Sequence, residues 1–438
     1  MPNERSQFDL EQAVVAPLFG FAAHPERSAA LGEIHARPHP VLETPSVLIQ
    51  IAFMTEAGST KDEALLRELS HLAGAAAPGR SVRQHAMPWW KGSLRWERHT
   101  EFSTYLWIGP LDADGPEPGD VPFGSGFQPP GAAISGIRLE LRERTAAAEQ
   151  LVASFDPGSL CLSLVEAGSA TVATDFQQDA DGLTRILVLD GGLSPERLGA
   201  LCQRVMDLET YRTLAMLGLP LAQSLSLRTR HMEDRLATLT GEIREAERRD
   251  SQTLLSELTD LAAELEADAA ASLYRFGASR AYDGIVEERL AELGEQPLSG
   301  FDTLQAFLQR RLAPAMRTCR SVEERQANLS QKLARAADLL RTWVDVEVEN
   351  QNRDLLASMN DHAHAQLRLQ QTVEGLSVAA VSYYVVGLVG YLAKGGGVFG
   401  HAVAPELVTA VSVPVAVVTI WWLVRKARRA HGGIADRT

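Results

Sequence analysis

The sequence predicts an α+β cytoplasmic domain followed by long coiled-coil-like helices and a two-helix transmembrane hairpin. Three observations carry this. Short apolar or alternating runs, punctuated by Gly and Pro, fill residues 1–205. Beyond residue 205, leucines recur at steps of four and three with charged residues between them. Near the C-terminus, Leu376 to Ala393 and Leu407 to Val424 each hold 18 residues without an acid or a base, close to the roughly 20 that cross a bilayer as a helix.

The chain has 438 residues, 45% hydrophobic and 22% charged, which is a globular composition longer than one ordinary domain. Residues before 375 carry 36 basic and 54 acidic side chains, a net charge of −18. An acidic body of this kind argues against nucleic acid as a partner and favours solubility. Cys161, Cys202 and Cys319 lie far apart, so neither a disulfide framework nor a cysteine zinc site is indicated, and a reducing compartment fits. Glu4, Arg5 and Asp9 precede any apolar run, unlike a secretory signal peptide.

Residues 24–40 hold the densest group of ionisable side chains: His24, Arg27, Glu33, His35, Arg37 and His39. Pro25 at a first helical position and Pro38 just past the end predict one short helix. The cluster would serve as a metal or anion site if it gathered. Capping and mutual pairing on a domain face is the simpler reading, because no pair of histidines stands at i and i+4. No cofactor is indicated.

From Ser46 to Thr55 the chain is nearly all apolar, as in a central strand buried on both faces. Lys61 to Leu72 has the spacing of an amphipathic helix. Strands follow at Ser81 to Met87, Leu94 to His99 and Glu101 to Ile108. Trp89, Trp90, Trp96 and Trp107 crowd this hairpin; core packing explains them better than a ligand surface. Gly109 to Gly131 reads as a loop with no core of its own. Asp112 and Asp114 lack the remaining positions of a calcium loop. Residues 132–155 are ambiguous between helix and strand. Leu160 to Glu166, Ala170 to Phe176 and Leu183 to Leu189 then give further strands.

Ser194-Pro195-Glu196 opens the helical part. Met232, Leu236, Leu239 and Ile243, then Leu254, Leu258, Leu261 and Leu265, form one seam across a helical region at 206–322. Breakers stand at Gly294 to Gly300 and at Pro314. The seam resumes at Leu329, Leu333, Ala336, Leu340 and Trp343. A long stalk helix over 323–393 would run about 105 Å into the first span at 376–393. An outer loop at 394–406, a second span at 407–424 and a basic tail at 425–438 complete the plan. Arg425, Lys426, Arg428 and Arg429 against the single Lys394 of the loop place both termini in the cytoplasm.

Several stretches resemble the signature of an uncharacterised bacterial family classed as a domain of unknown function. They are His24-Pro25-Glu26-Arg27, Glu33-Ile34-His35-Ala36-Arg37-Pro38, Glu97 to Phe102, Arg275 to Tyr282 and Val373 to Ser377. The resemblance covers nearly the whole chain. It implies a membrane-associated bacterial protein, here of the inner membrane, and supplies no activity.

The arrangement of residues 300–430, with Pro405-Glu406-Leu407 in the outer loop, resembles the CorA-type magnesium channels. That resemblance implies a homo-oligomer, a pentamer in that family, with a pore lined by the long helix and first span, and a metal cation as cargo. The outer Gly-Met-Asn of that family is replaced by Gly390-Tyr391-Leu392, which lacks the amide that would hold an ion's water shell.

Glu347, Asp354 and Asp361 stand at successive heptad spacings on one face. An ordinary solvated face is the simpler reading; in a symmetric bundle they would form carboxylate rings that concentrate cations. Thr372, Ser377, Ser382, Gly387 and Gly390 are the other candidate lining groups, although small residues also occur where membrane helices merely pack. No phosphate loop, nucleophile elbow, zinc-protease helix or Cys-x-x-Cys pair is present, so an enzyme is not expected. Two functions are expected: an oligomeric ion channel or transporter, or a non-conducting membrane-anchored scaffold or sensor.

Overall fold

The structure, a computed structural model, describes residues 19, 21, 24, 27, 39–55, 60–79, 82–111, 122–124, 127–245, 251–396 and 405–432. The chain divides into two compact units, Met1–Ala337 and Asp338–Thr438.

The first unit contains the strands β1 (Ser46–Met54), β2 (Gln84–Trp89), β3 (Gly92–Arg98), β4 (Phe102–Pro110), β5 (Ala133–Glu143), β6 (Cys161–Val165), β7 (Ala170–Gln178), β8 (Thr184–Asp190) and the short β9 (Gln296–Pro297). Its helices are α1 (Lys61–Ala73), the short α2 (Ala146–Gln150), α3 (Pro195–Met216), α4 (Gly218–Glu245) and α5 (Ser251–Leu293). A sixth helix, α6 (Leu304–Gly396), starts in this unit and continues into the second. Among the described residues the strands form one sheet, ordered β2-β3-β4-β1-β5-β8-β7-β6-β9. Neighbours are antiparallel except β5 and β8, which run parallel. The ambiguous residues 132–155 resolve into β5, α2 and a 3-10 turn at Leu151–Ser154.

Both faces of the sheet are covered, which is why β1 lacks polar alternation. Leu48 and Ala52 join the larger core, formed with Leu201, Val205, Phe276 and Leu308 of the helices. Val47, Ile49 and Phe53 face the other way, with Leu65, Leu66 and Leu69 of α1. Trp89, Trp96 and Trp107 are buried in this second core, and Trp90 is exposed. The Gly- and Pro-rich segment contributes more than expected: Phe123 is buried there, Phe127 packs on Phe53 and Tyr105, and the Pro122 carbonyl accepts from Trp89 Nε1 at 2.8 Å. Its aromatic residues are drawn in by the apolar area they remove from water. Asp112 and Asp114 lie outside the described residues.

Gly199 and Gly218 stand where neighbouring elements leave no room for a side chain. A Cβ on Gly199 of α3 would stand 1.6 Å from the Pro40 carbonyl, so Pro40 lies directly on this helix, with Leu42 N donating to Pro195 O at 3.1 Å. A Cβ on Gly218 would meet Ser279 Oγ of α5 at 2.6 Å and Cys319 Sγ of α6 at 3.2 Å.

The residues between α5 and α6 act as a cap rather than a simple break. Glu295 Oε1 accepts from Leu304 N at 2.9 Å and from Ser163 Oγ of β6 at 2.6 Å, while Oε2 accepts from Gln305 N at 2.8 Å. Thr303 Oγ1 accepts from Ala306 N at 3.0 Å. The first turn of α6 is thus satisfied by a carboxylate on the sheet edge, where a negative charge also suits the helix dipole. Glu295→Ala should lower stability by about 1–2 kcal/mol, measured as the midpoint of denaturant unfolding, with Glu295→Gln losing less.

The second breaker, Pro314, does not end the helix, and α6 begins at Leu304 rather than near residue 323. Leu312, Ala315 and Met316 around it are all buried, and that packing outweighs the roughly 3 kcal/mol that an internal proline costs. The apolar seams are buried as their spacing predicts: Met232, Leu236 and Leu239 of α4, Leu254, Leu258, Leu261 and Leu265 of α5, and Leu329, Leu333, Ala336 and Leu340 of α6. Polar pairs flank them, with Arg325 Nη2 to Glu233 at 2.6 Å and Ser330 Oγ to Glu266 at 2.7 Å. Trp343 falls outside this pattern and is 41% exposed.

The second unit holds the rest of α6 and a final helix, α7 (Pro405–Gly432). Both are long and apolar enough to cross a membrane, and in each the most apolar 18-residue window is only 6% buried. A core helix of a soluble protein would be mostly covered, whereas these faces are open, as those of helices that could cross a membrane are. A Cβ on Gly390 would lie 3.5 Å from Thr409 Oγ1, which brings the two helices together there.

Candidate functional site

A concentrated set of polar side chains forms where two of the sequence stretches singled out above meet. The β3–β4 connection is tight, with His99 N donating to Phe102 O at 2.8 Å, and it places Glu101 against α5. Arg275 holds that carboxylate through both oxygens, Nη1 to Oε1 at 3.0 Å and Nη2 to Oε2 at 2.8 Å, and Tyr274 OH donates to Oε2 at 3.2 Å. Tyr282, seven residues after Arg275 and therefore on the same side of α5, also bonds Glu101. A bidentate guanidinium–carboxylate pair adds geometric specificity to the charge interaction.

Aromatic rings extend the contact to α3. His99 stacks on Phe102 with centroids 4.1 Å apart, and Phe102 stands edge-on to Tyr211 and to Tyr282. Tyr211 and Tyr282 stack at 5.5 Å, and Tyr211 OH lies 3.4 Å from His99 Nδ1. Behind these rings is a cavity of about 10 Å³ lined by Gln50, Glu97, Thr104, Gln203, Asp207 and Thr210 as well as His99 and Tyr211. That is the space of a single water with several polar partners. Gln203 Nε2 donates to Asp207 Oδ1 at 2.7 Å, Arg289 Nε approaches Asp207 Oδ2 at 3.3 Å, and Gln50 Nε2 donates to Thr210 Oγ1 at 3.1 Å. Beside it Glu209, which is buried, takes two bonds from Arg212 and one from Thr184 Oγ1.

The electrostatics follow from this pairing. Burial acts to raise the Glu101 carboxyl, but the hydrogen bonds of Arg275, Tyr282 and Tyr274 and the Arg275 charge outweigh it and hold it below the usual range. Burial and the Glu101 charge push the Tyr282 and Tyr274 phenols up, so both remain donors. Chemically the cluster fixes a carboxylate and clamps the β3–β4 turn to α5. Among the described residues no three His, Cys, Asp or Glu side chains gather as a metal cage.

Glu97 to Phe102 and Arg275 to Tyr282 are separate stretches of the sequence, and nothing in their spacing indicates that they touch or that Tyr211, Asp207 and Gln203 take part. Glu101 and Arg275 are 174 positions apart, so no local signal links them. Of the N-terminal cluster, Glu33, His35 and Arg37 lie outside the described residues. Arg27 is half-buried, its N–H donating to His24 O at 3.0 Å. The three cysteines are free and buried; burial, with nearby acids, pushes the Cys161 and Cys202 thiols up to about 12, so they are unreactive.

The membrane-side candidates do not converge within one chain. Asp354, Asp361, Thr372, Ser377 and Gly387 are exposed, Glu347 and Gly390 are half-buried, and Ser382 is buried. Thr372 Oγ1 donates to Arg368 O and Ser377 Oγ to Val373 O, both at 2.9 Å, so these hydroxyls bond their own helix. Towards the end of α7, Arg425 sits 4.8 Å above the Trp421 ring and Lys426 Nζ 5.0 Å above that of Trp422. Such pairs suit a membrane interface, where rings and cations share the headgroup level.

No curated protein matches the sequence. A family described as protein of unknown function, DUF3422, matches residues 22–431. That match takes in the sheet, the helices that pack on it and both apolar helices, and the chain belongs to this family of uncharacterised domains.

Proposed function

We propose that the protein is an oligomeric ion channel or transporter of the bacterial inner membrane, CorA-like in plan, with both termini in the cytoplasm. One observation carries the reading: α6 is a single helix of 93 residues. Its first turn is capped on the sheet edge by Glu295, and its last turns are the exposed apolar run. A helix with one end on the sheet edge and the other in the apolar run would carry a change in the α+β unit towards the membrane, and the reading needs no turnover of a substrate. The basic residues after Val424 and the Trp421 and Trp422 belt support the orientation. Gly390-Tyr391-Leu392 lacks an amide, so the cargo would be an ion other than hydrated magnesium.

A second reading, a non-conducting scaffold or sensor, is favoured by the hairpin itself. Thr372 and Ser377 bond their own helix, Ser382 is buried, and Gly390 abuts Thr409. Reconstitution in liposomes separates the two. Conduction predicts cation uptake driven by voltage and gradient; absence of flux for potassium, sodium, magnesium and protons across that series would establish the scaffold.

A further inference from the structure

Beyond the buried part of α6, the helix carries a second seam that the single chain leaves open. Val348, Asn352, Leu355, Met359, His362, Gln366, Leu369, Val373 and Leu376 follow one another at alternating steps of four and three, the spacing of a and d positions in a coiled coil. Its six apolar members are between 49% and 75% exposed. This seam is offset by two residues, about 200° of helix rotation and so on nearly the opposite side of the helix, from the continuation of the buried line Leu329, Leu333, Ala336, Leu340, which runs on through Glu347, Asp354 and Asp361.

Charge is segregated around the same stretch. Between residues 348 and 376 the formal charges are Glu349, Arg353, Asp354, Asp361, Arg368 and Glu374; Glu349 stands at an e position, where it pairs with Arg353 on its own helix, and the other five fall at b or c positions of this heptad. A helix solvated on all sides would carry charge all round. After Glu349, the e and g positions hold Leu356, Ala363 and Gln370, and Gln351, Ser358, Ala365 and Thr372. Small and uncharged residues there widen the covered face beyond a strict two-stranded seam.

We infer that residues 348–376 form a parallel, in-register coiled coil with further copies of this chain, through the Val348-to-Leu376 seam. Two features name the occupant. Asn352 and Gln366 at a positions satisfy their amides best against the same residue of an identical neighbour in register. The seam also runs directly into the first apolar span, so copies sharing one bilayer present it at the same height and in the same direction. The inference rests on the membrane-bound oligomer proposed above and is independent of conduction. It moves Glu347, Asp354 and Asp361 to the outer c positions, away from the axis, which agrees with a solvated face rather than a carboxylate ring.

The test uses full-length protein in native membranes, with Leu355→Cys, Leu369→Cys, Arg353→Cys and Arg368→Cys as separate variants and the unsubstituted chain as background. Mild oxidation should give a crosslinked dimer at Leu355→Cys and Leu369→Cys at least about fivefold above the two outer positions, where thiols of neighbouring helices point apart. Met359→Asp should lower the particle mass in detergent, measured by light scattering. Equal crosslinking at all four sites, or none at the seam, in a particle that is still oligomeric would overturn the stalk assignment and leave the oligomer standing. A monomer by light scattering would overturn both.

Discussion

Arg275→Ala is expected to destabilise the protein by about 2–4 kcal/mol, because it leaves the Glu101 carboxylate, 7% exposed, without its bidentate partner. The loss is that of a buried charge stripped of its counter-ion, so it exceeds what the intact pair contributes. Removing both charges together, in Glu101→Gln with Arg275→Met, should therefore cost less than Arg275→Ala alone. Thermal unfolding of the full-length variants in detergent, followed by near-ultraviolet circular dichroism, gives the comparison. A double variant that loses as much as the two single variants added together would show that the pair is not coupled.

The pH dependence gives an independent check. The folded Glu101 carboxyl is held below its ordinary value of 4.5. Its contribution is therefore present above that value and is lost as pH falls through the lowered folded value. In Arg275→Ala the main opposing influence on burial is gone, so the folded carboxyl shifts up and the charged form becomes the disfavoured one. The gap in stability between the variant and the parent should narrow as the solution is acidified from neutrality towards about pH 4. A gap that stays constant would mean the carboxylate is solvated in the variant.

The second large effect is expected at Asp62, in the first turn of α1. Its Oδ1 accepts from Tyr105 OH at 2.7 Å, Ser103 Oγ at 2.9 Å and Trp96 Nε1 at 3.3 Å, and the residue is 1% exposed. Burial and the Asp62 charge push the Tyr105 phenol far up, so it remains a donor. Asp62→Ala leaves three buried donors without an acceptor, at about 3–5 kcal/mol in total. Asp62→Asn keeps one oxygen and should lose about half as much. Denaturant midpoints would measure both, and equal losses would mean that charge rather than acceptance holds this corner of the sheet.

Much of the fold was legible in order along the chain. The apolar run at 46–55, the hairpins and the leucine seams each declare themselves within ten or twenty residues, because strand and helix periods are local properties. So do the two uncharged spans, since a bilayer is sensed by length and hydropathy alone. The local rules failed where distant packing prevailed, at Pro314 inside a buried stretch of helix and at Phe123, which a loop composition would leave in water.

By itself, the sequence determined a strand-rich unit, a helical region and an apolar helix pair, and its heptads were there to be read. Which faces are covered depends on the packing of elements distant in the chain. Burial of Leu329 to Leu340 together with exposure of Val348 to Leu376 separates two seams that look alike as spacing. Likewise the meeting of Glu101 with Arg275 depends on α5 folding back across the sheet, a contact between positions too far apart for any local period to encode.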